Sequence, residues 1–402
     1  MRSTNLPLVL RQLRDHGPRS RARLATDLGL TRSAASALVS ELEGLGLVRS
    51  AGPERGGLGR PGIAVELDGR HVCGIGAEVN VNHVSTMALD LSGGVVAEHR
   101  LSLDVRRIPV GEVLDRLVDL LHRTDADVRA AGATTVGVSV GVAGLLDRER
   151  EVLTLGPNLD WRDVPVGAEL RDRLDGAFAL RVENEGNLAA IAEALPGDAS
   201  RQDIVVIFGE LGVGGGIVAG GRLLRGHQGY SGEFGHMIVQ PGGRRCGCGR
   251  VGCWETVSGL RALLDAAADS DDQVRDPALS LDDRLLEINR RAELGDGRTL
   301  AALREVGMWI GVGAAMLTNA LNPAAIVLSG YFASLGPHLQ PTIQEQLLAG
   351  VLAPQAGGTR VEFSTLGFTA AVRGGATVAL EAVFDDPTIV APPGADHLAG
   401  GA

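Results

Sequence analysis

Apolar residues at Leu6, Val9, Leu10 and Leu13 recur with helical spacing, and Gly17-Pro18 closes that run. A second helix is predicted behind Ser20 with the stripe Leu24, Ala25 and Leu28, and Gly29 supplies a tight turn into a third helix capped by Thr31. Along the third helix Ala34, Ala35, Leu38 and Leu42 face the core, leaving Arg32, Ser33 and Ser36 on the outer side near its amino end. Leu47-Val48-Arg49 and Ile63-Ala64-Val65 read as short strands joined by a Gly-rich loop containing Gly59-Arg60-Pro61. The whole is the pattern of a winged helix-turn-helix over residues 1–70, in which Arg32, Ser33 and Ser36 are placed to reach base edges and phosphates of operator DNA. Arg60 is placed to enter a minor groove, or else is a solvated linker residue. A small protein-binding bundle is the alternative reading of the three helices.

From residue 72 the pattern changes to alternating strands and helices. Strands are predicted at 72–77, 84–89 and 95–101, a helix near 111–122, strands at 135–140 and 178–182, and a helix at 187–194. The scheme then restarts with strands at 204–208 and 215–219, a Gly220-Gly221 turn, and a strand at 325–329 between long helices. Two copies of a strand-rich α/β unit predict a bilobal body over 71–385, with lobes of roughly 71–183 and 184–385 and a ligand cleft between them. Residues 386–402, rich in Gly, Pro and Ala, are expected to form a disordered tail.

Charge divides the chain the same way. The 402 residues carry a formal charge of -11 and no lysine. Residues 1–62 hold ten Arg against five Asp plus Glu, a net of +5, which leaves 28 minus 44, or -16, for the remainder. A basic head on an acidic body suits contact with phosphates by the head alone. The amino-terminal apolar stretch of five residues is too short for a secretory signal, so a cytoplasmic, nucleoid-associated location is expected. Residues 307–343 lack Asp, Glu, Lys and Arg, yet Asn319, Asn322 and Pro323 interrupt the run, so a buried helix and strand are expected instead of a membrane span.

Of four cysteines, three fall in the run Cys246, Cys248, Cys253, ten residues after His236. One imidazole and three thiolates supply the tetrahedral ligand set of a closed structural zinc site, the alternative being free buried thiols or a redox pair. Glu233, Glu255, Asn184 and Glu185 surround this loop in sequence and suit a polyol, since a carboxylate accepts hydrogen bonds from adjacent hydroxyls.

The motif Glu233-Phe234-Gly235-His236, the run Cys246, Cys248, Cys253 and the pair Trp254-Glu255 resemble the ROK family of sugar kinases and sugar-responsive repressors. The resemblance implies a duplicated, ribonuclease H-like, actin-like sugar-kinase fold for the body. It also implies that Asn158, Asn184, Glu185, Glu233, His236 and Glu255 contact a sugar. Kinases of that family carry Asp-x-Gly-Gly-Thr at the end of the first strand, so that phosphates approach bare backbone. This chain has Glu78-Val79-Asn80-Val81-Asn82 there, Leu211 in place of a threonine before the turn Gly212–Gly216, and Glu185 in place of the catalytic Asp. The expectation is therefore a homodimeric or dimer-of-dimers repressor without kinase activity, controlled by a sugar effector. An active kinase with an added DNA-binding head, and a regulator controlled by a protein partner, are the alternatives.

Overall fold

Side-chain caps set the helix starts of the head. In the computed structural model, which describes residues 5–53, 62–194, 197–276, 279–353 and 358–391, α1 spans Leu6–His16. The Ser20 hydroxyl accepts from the Arg23 amide to start α2 (Arg21–Asp27), and Thr31 accepts from Ala34 to start α3 (Arg32–Gly44). Strands β1 (Arg19–Ser20), β2 (Val48–Pro53) and β3 (Ile63–Leu67) pair antiparallel in the order β1-β3-β2. The buried face of α3 is Ala35, Leu38, Val39 and Leu42. Val39 thus takes the place expected of Ala34, because positions i, i+3, i+4 and i+7 make the continuous stripe. The loop residues 54–61, with Arg60, lie outside the described residues.

The first body sheet holds β4 (Val72–Asn80), β5 (His83–Asp90), β6 (Val95–Ser102) and, after α4 (Val110–Ala130), β7 (Thr134–Val142). A small antiparallel sheet follows, β8 (Leu145–Asp147), β9 (Val152–Gly156) and β10 (Trp161–Val164), then α5 (Val166–Leu174), β11 (Leu180–Asn184) and α6 (Glu185–Glu193). The second sheet begins with β12 (Ile204–Gly209), β13 (Val213–Ala219) and β14 (Arg222–Leu223). Beyond the cysteine loop come α7 (Glu255–Ser258), α8 (Leu260–Ala267), α9 (Leu281–Glu293) and α10 (Gly297–Leu321). The chain closes with β15 (Ala325–Gly330), α11 (Tyr331–Ser334), α12 (Gly336–Gly350), β16 (Arg360–Phe363) and α13 (Ala370–Asp385).

The two large sheets, β11-β7-β4-β5-β6 and β14-β13-β12-β15-β16, repeat one plan. In each, the first strand pairs antiparallel with its hairpin partner and parallel with a crossover strand, β4 with β5 and β7, β12 with β13 and β15. Each sheet has its own apolar core, one around Ile75, Val138 and Leu117, the other around Val205, Ile326 and Ile310. This is the duplicated, kinase-like fold that was expected. Helix α10 is long and apolar enough to cross a membrane, but 56% of its apolar window is buried in the protein, where it packs on α8 and α12.

Two boundaries differ from expectation. Helix α13 crosses back to pack on β4, β7 and α6 of the first lobe, so the lobes do not divide the sequence at a single point. Of the expected tail, residues 386–391 are structured: Asp386 caps a turn at Pro387–Ile389, and Val390 is buried beside Val383 and Phe384. Residues 392–402 lie outside the described residues.

The head is joined to the body through a shared core. Leu6, Val9, Leu10 and Leu13 of α1 belong to one apolar cluster with Val372, Leu380, Val383 and Phe384 of α13. At the edge Glu381 accepts from Arg14 at 2.6 Å and Arg11 at 3.2 Å, and the Arg14 guanidinium carbon lies 4.8 Å from the Phe384 ring centre.

Candidate functional site

A cavity of about 390 Å³ opens between the lobes and is lined by Asn80, Asn158, Asn184, Glu185, Glu210, Glu233, His236 and Glu255. All six residues expected to hold a sugar therefore face one space. Asn184 ends β11 and caps α6, its Oδ1 accepting from the Asn187 amide at 3.0 Å and its Nδ2 donating to the Gly144 carbonyl at 2.9 Å. That capping points Glu185, the first residue of α6, into the cavity. Gly212 lies against the opposite wall: a β-carbon there would stand 2.5 Å from both Asn158 Nδ2 and Glu255 Oε2, so a larger residue would push these two side chains from their present positions.

The cysteine loop fixes the third wall. The ligand atoms of His236, Cys246, Cys248 and Cys253 all lie within 4.8 Å of one another, with Cys248 Sγ to Cys253 Sγ at 3.6 Å and Cys246 Sγ to His236 Nδ1 at 3.7 Å. An ion at the centre of a tetrahedron with thiolate bonds of about 2.3 Å needs edges of about 3.8 Å. The four donors thus fit a metal ion, and the sulfur separation is far too long for a disulfide. Gly252, at φ +82°, makes the loop possible, since a β-carbon would stand 2.0 Å from the Gln240 carbonyl. With Nδ1 turned to the cysteines, His236 presents Nε2 to the cleft, 4.0 Å from Glu233 Oε2. Burial, then the Glu255 charge, pushes the Glu233 carboxyl up to about 7.

At the cavity floor lies a polar cluster that sequence reasoning saw only in part. Glu78, Asn80, His83 and Glu210 are all 5% exposed or less. The Asn80 amide donates to Glu78 Oε1 at 2.8 Å and to Glu185 Oε2 at 3.0 Å. His83 stands between Glu78 Oε2 at 3.7 Å and Glu210 Oε1 at 3.8 Å, with Arg100 Nη2 3.3 Å from its Nδ1. Neither oxygen of Glu210 has a hydrogen-bond partner among the described residues.

Burial raises Glu210 to about 7, opposed by the positive charge of His83. Burial first, then Glu78, Glu210 and Glu233, drives Glu185 well above the usual carboxylate range. Burial alone would raise Glu78 and lower His83, but their mutual contact outweighs it and reverses both directions. Glu78, Glu185 and Glu210 thus gather at the cavity floor around Asn80 and His83. In sequence, Glu78, Asn80 and Glu185 stand out as departures from the kinase motifs, whereas Glu210, His83 and Arg100 carry no such signal.

In the head, Arg32 and Ser33 are exposed and Ser36 is half-buried at the start of α3. Ser33 Oγ lies 3.1 Å from Thr31 Oγ1, and Arg32 makes no ion pair among the described residues.

Comparison with known proteins places these features. A model of the ROK family matches residues 74–382. The chain is 26% identical over 386 residues to the xylose repressor of Bacillus subtilis (strain 168), covering 96% of this chain and 97% of that protein. It is 32% identical over 260 residues to a glucokinase of Streptomyces coelicolor, covering 61% of this chain and 81% of that one. Among solved structures, a ROK family transcriptional regulator homologous to the E. coli MLC protein superposes with a TM-score of 0.74 at 22% identity, covering 96% of this chain and 97% of its own, a likeness of fold.

Proposed function

The chain belongs to the ROK family, and from that premise we propose that it is a sugar-responsive transcriptional repressor that binds operator DNA through its winged helix and has no kinase activity. The observation that carries this reading is the continuous packing from cleft to head. Helix α6 starts at Glu185 in the cavity and runs about 13 Å. Just beyond its far end, a β-carbon on Gly197 would lie 1.7 Å from the Asp15 carbonyl of the head. Along its length α6 is pressed on α13, where a β-carbon on Gly374 would lie 1.8 Å from the Leu188 carbonyl, and α13 carries α1. A ligand that shifts α6 therefore shifts the seat of the head, and packed helices transmit such shifts with little compliance.

In this account Asn158, Asn184, Glu185, Glu233, His236 and Glu255 hold the sugar, and Arg32, Ser33, Ser36 and Arg60 meet the DNA. The metal is structural zinc, held by His236, Cys246, Cys248 and Cys253; it fixes the loop that carries His236 and Glu255 and supplies no reaction step. Two heads in a homodimer, or in a dimer of dimers, read half-sites one helical turn apart, in the cytoplasm at the nucleoid. The relative named for xylose makes pentoses the first sugars to test, and release of DNA by sugar is the favoured direction.

A second reading, an active sugar kinase, draws on the glucokinase relative and the surviving turn Gly212–Gly216. The side chains of Asn80 and Val81 oppose it, because they line the cavity where the resemblance calls for bare glycine and fill the space that phosphate oxygens would need. A coupled assay with ATP, magnesium and a panel of pentoses and hexoses decides: no turnover above background is expected, and turnover above about 1 per second would establish a kinase.

A further inference from the structure

A second cavity, of about 500 Å³, lies behind the sugar cleft and is lined by Arg106, Arg244, Arg245 and Arg261. We propose that it is a second ligand site, which takes the phosphate group of a small phosphorylated molecule.

The charge is the first argument. The chain outside the head is net negative by 16, yet four solvent-exposed arginines line this one cavity from three places: Arg106 after β6 in the first lobe, Arg244 and Arg245 in the cysteine loop, and Arg261 on α8. Their internal counter-charges are few. Asp104 engages Arg106 at 3.1 Å, and Asp265 engages Arg275 at 2.6 Å and Arg244 at 3.8 Å. Arg245 and Arg261 have no ion pair or side-chain hydrogen bond among the described residues. Glu255 is the other acid in the lining. Like charges held around one concavity repel, and a planar guanidinium pairs two N–H groups with two phosphate oxygens, so a dianion relieves the repulsion with directed bonds.

Shape is the second argument. A DNA backbone calls for cations spread along a surface, whereas four lining a pocket of this volume suit one compact ligand. Position is the third. Pro157, Asn158, Leu211 and Glu255 line both cavities, so the wall that faces the arginines on one side is the wall proposed to hold sugar on the other. Since Arg106 and Arg261 lie on opposite lobes, an anion between them also draws the lobes together. That coupling to the sugar rests on the preceding proposal; the anion site itself does not.

Calorimetry on the zinc-loaded full chain tests it, with inorganic phosphate, pyrophosphate, a hexose 6-phosphate and the free hexose and pentose as separate titrants. Phosphate compounds are expected to bind, more weakly as salt rises. Arg261→Gln and Arg106→Gln should each weaken them about tenfold while leaving zinc content and free-sugar affinity unchanged. Absence of phosphate binding at millimolar concentration, wild-type phosphate affinity in both variants, or Arg261-dependent binding of an acidic peptide alone overturns the proposal. Phosphate binding without any sugar binding would sink the sugar reading and keep this one; sugar binding without phosphate binding would do the reverse.

Discussion

Replacing Glu381 by Ala removes the carboxylate that joins the head to α13 and leaves the apolar seat in place. Two ion pairs are lost, to Arg14 at 2.6 Å and to Arg11 at 3.2 Å, while Arg11 keeps Asp385. The side chains involved are 21–33% exposed, so each pair contributes about 0.2–1 kcal/mol. The loss totals about 0.5–2 kcal/mol, comparable with the coupling of about 1–3 kcal/mol between allosteric sites in general. Leu10, Leu13, Leu380 and Phe384 still pack, and the head should remain folded. Fluorescence anisotropy with labelled operator, run with and without sugar, gives the ratio of the two affinities. A loss of about 1 kcal/mol reduces that ratio about fivefold, and raised salt should reduce it in the wild type in the same direction. Glu345→Ala, an exposed acid on α12, serves as the control. A ratio unchanged in Glu381→Ala would refute the claim that the signal passes through the α13–α1 joint.

Cys248→Ser should lose the metal, read directly by zinc analysis, and with it the sugar response, while the head still binds DNA; an unaltered response would rule out the metal loop as the support of the sugar wall. Arg32→Ala should weaken operator binding and lower the slope of log affinity against log salt by about one unit, and Arg60→Ala should do the same if the wing meets a phosphate. Glu210→Gln should raise the melting temperature at pH 8 but not at pH 5. The folded-state carboxyl titrates at about 7 against an ordinary 4.5, so the native state binds the extra proton and loses stability as pH rises between those values, by up to about 3 kcal/mol. Equal effects of Glu210→Gln at both pH values would show that the carboxylate is compensated by some other group.

What was legible in sequence was local. Ser20 and Thr31 cap helices through contacts three residues away, and Cys246, Cys248 and Cys253 with His236 sit close enough for spacing alone to announce a ligand set. Asn184, Glu185, Glu233 and Glu255 suit a polyol by residue type, Asn158 follows from resemblance alone, and the structure brings all five to one cleft. The His83–Glu210 contact was illegible because it joins residues 127 positions apart, on different lobes, and neither type is unusual in its own segment. The return of α13 to the first lobe escaped notice for a related reason: its stripe of small and apolar residues would bury against either sheet, and only topology chooses. Strands β8, β9 and β10 are three to five residues long, too short for a period of two to stand out. In α3 the core takes Val39 and leaves Ala34 half-buried, because Ala35, Leu38, Val39 and Leu42 complete the i, i+3, i+4, i+7 stripe.

Thermodynamic linkage offers the most direct test of the whole. Sugar affinity is measured by calorimetry on the zinc-loaded protein, first free and then saturated with operator DNA. The sugar affinity should change on DNA binding by the same factor by which sugar changes operator affinity, about 5- to 150-fold. Identical sugar affinity in the presence and absence of operator would contradict the account, because the cleft and the winged helix would then be independent.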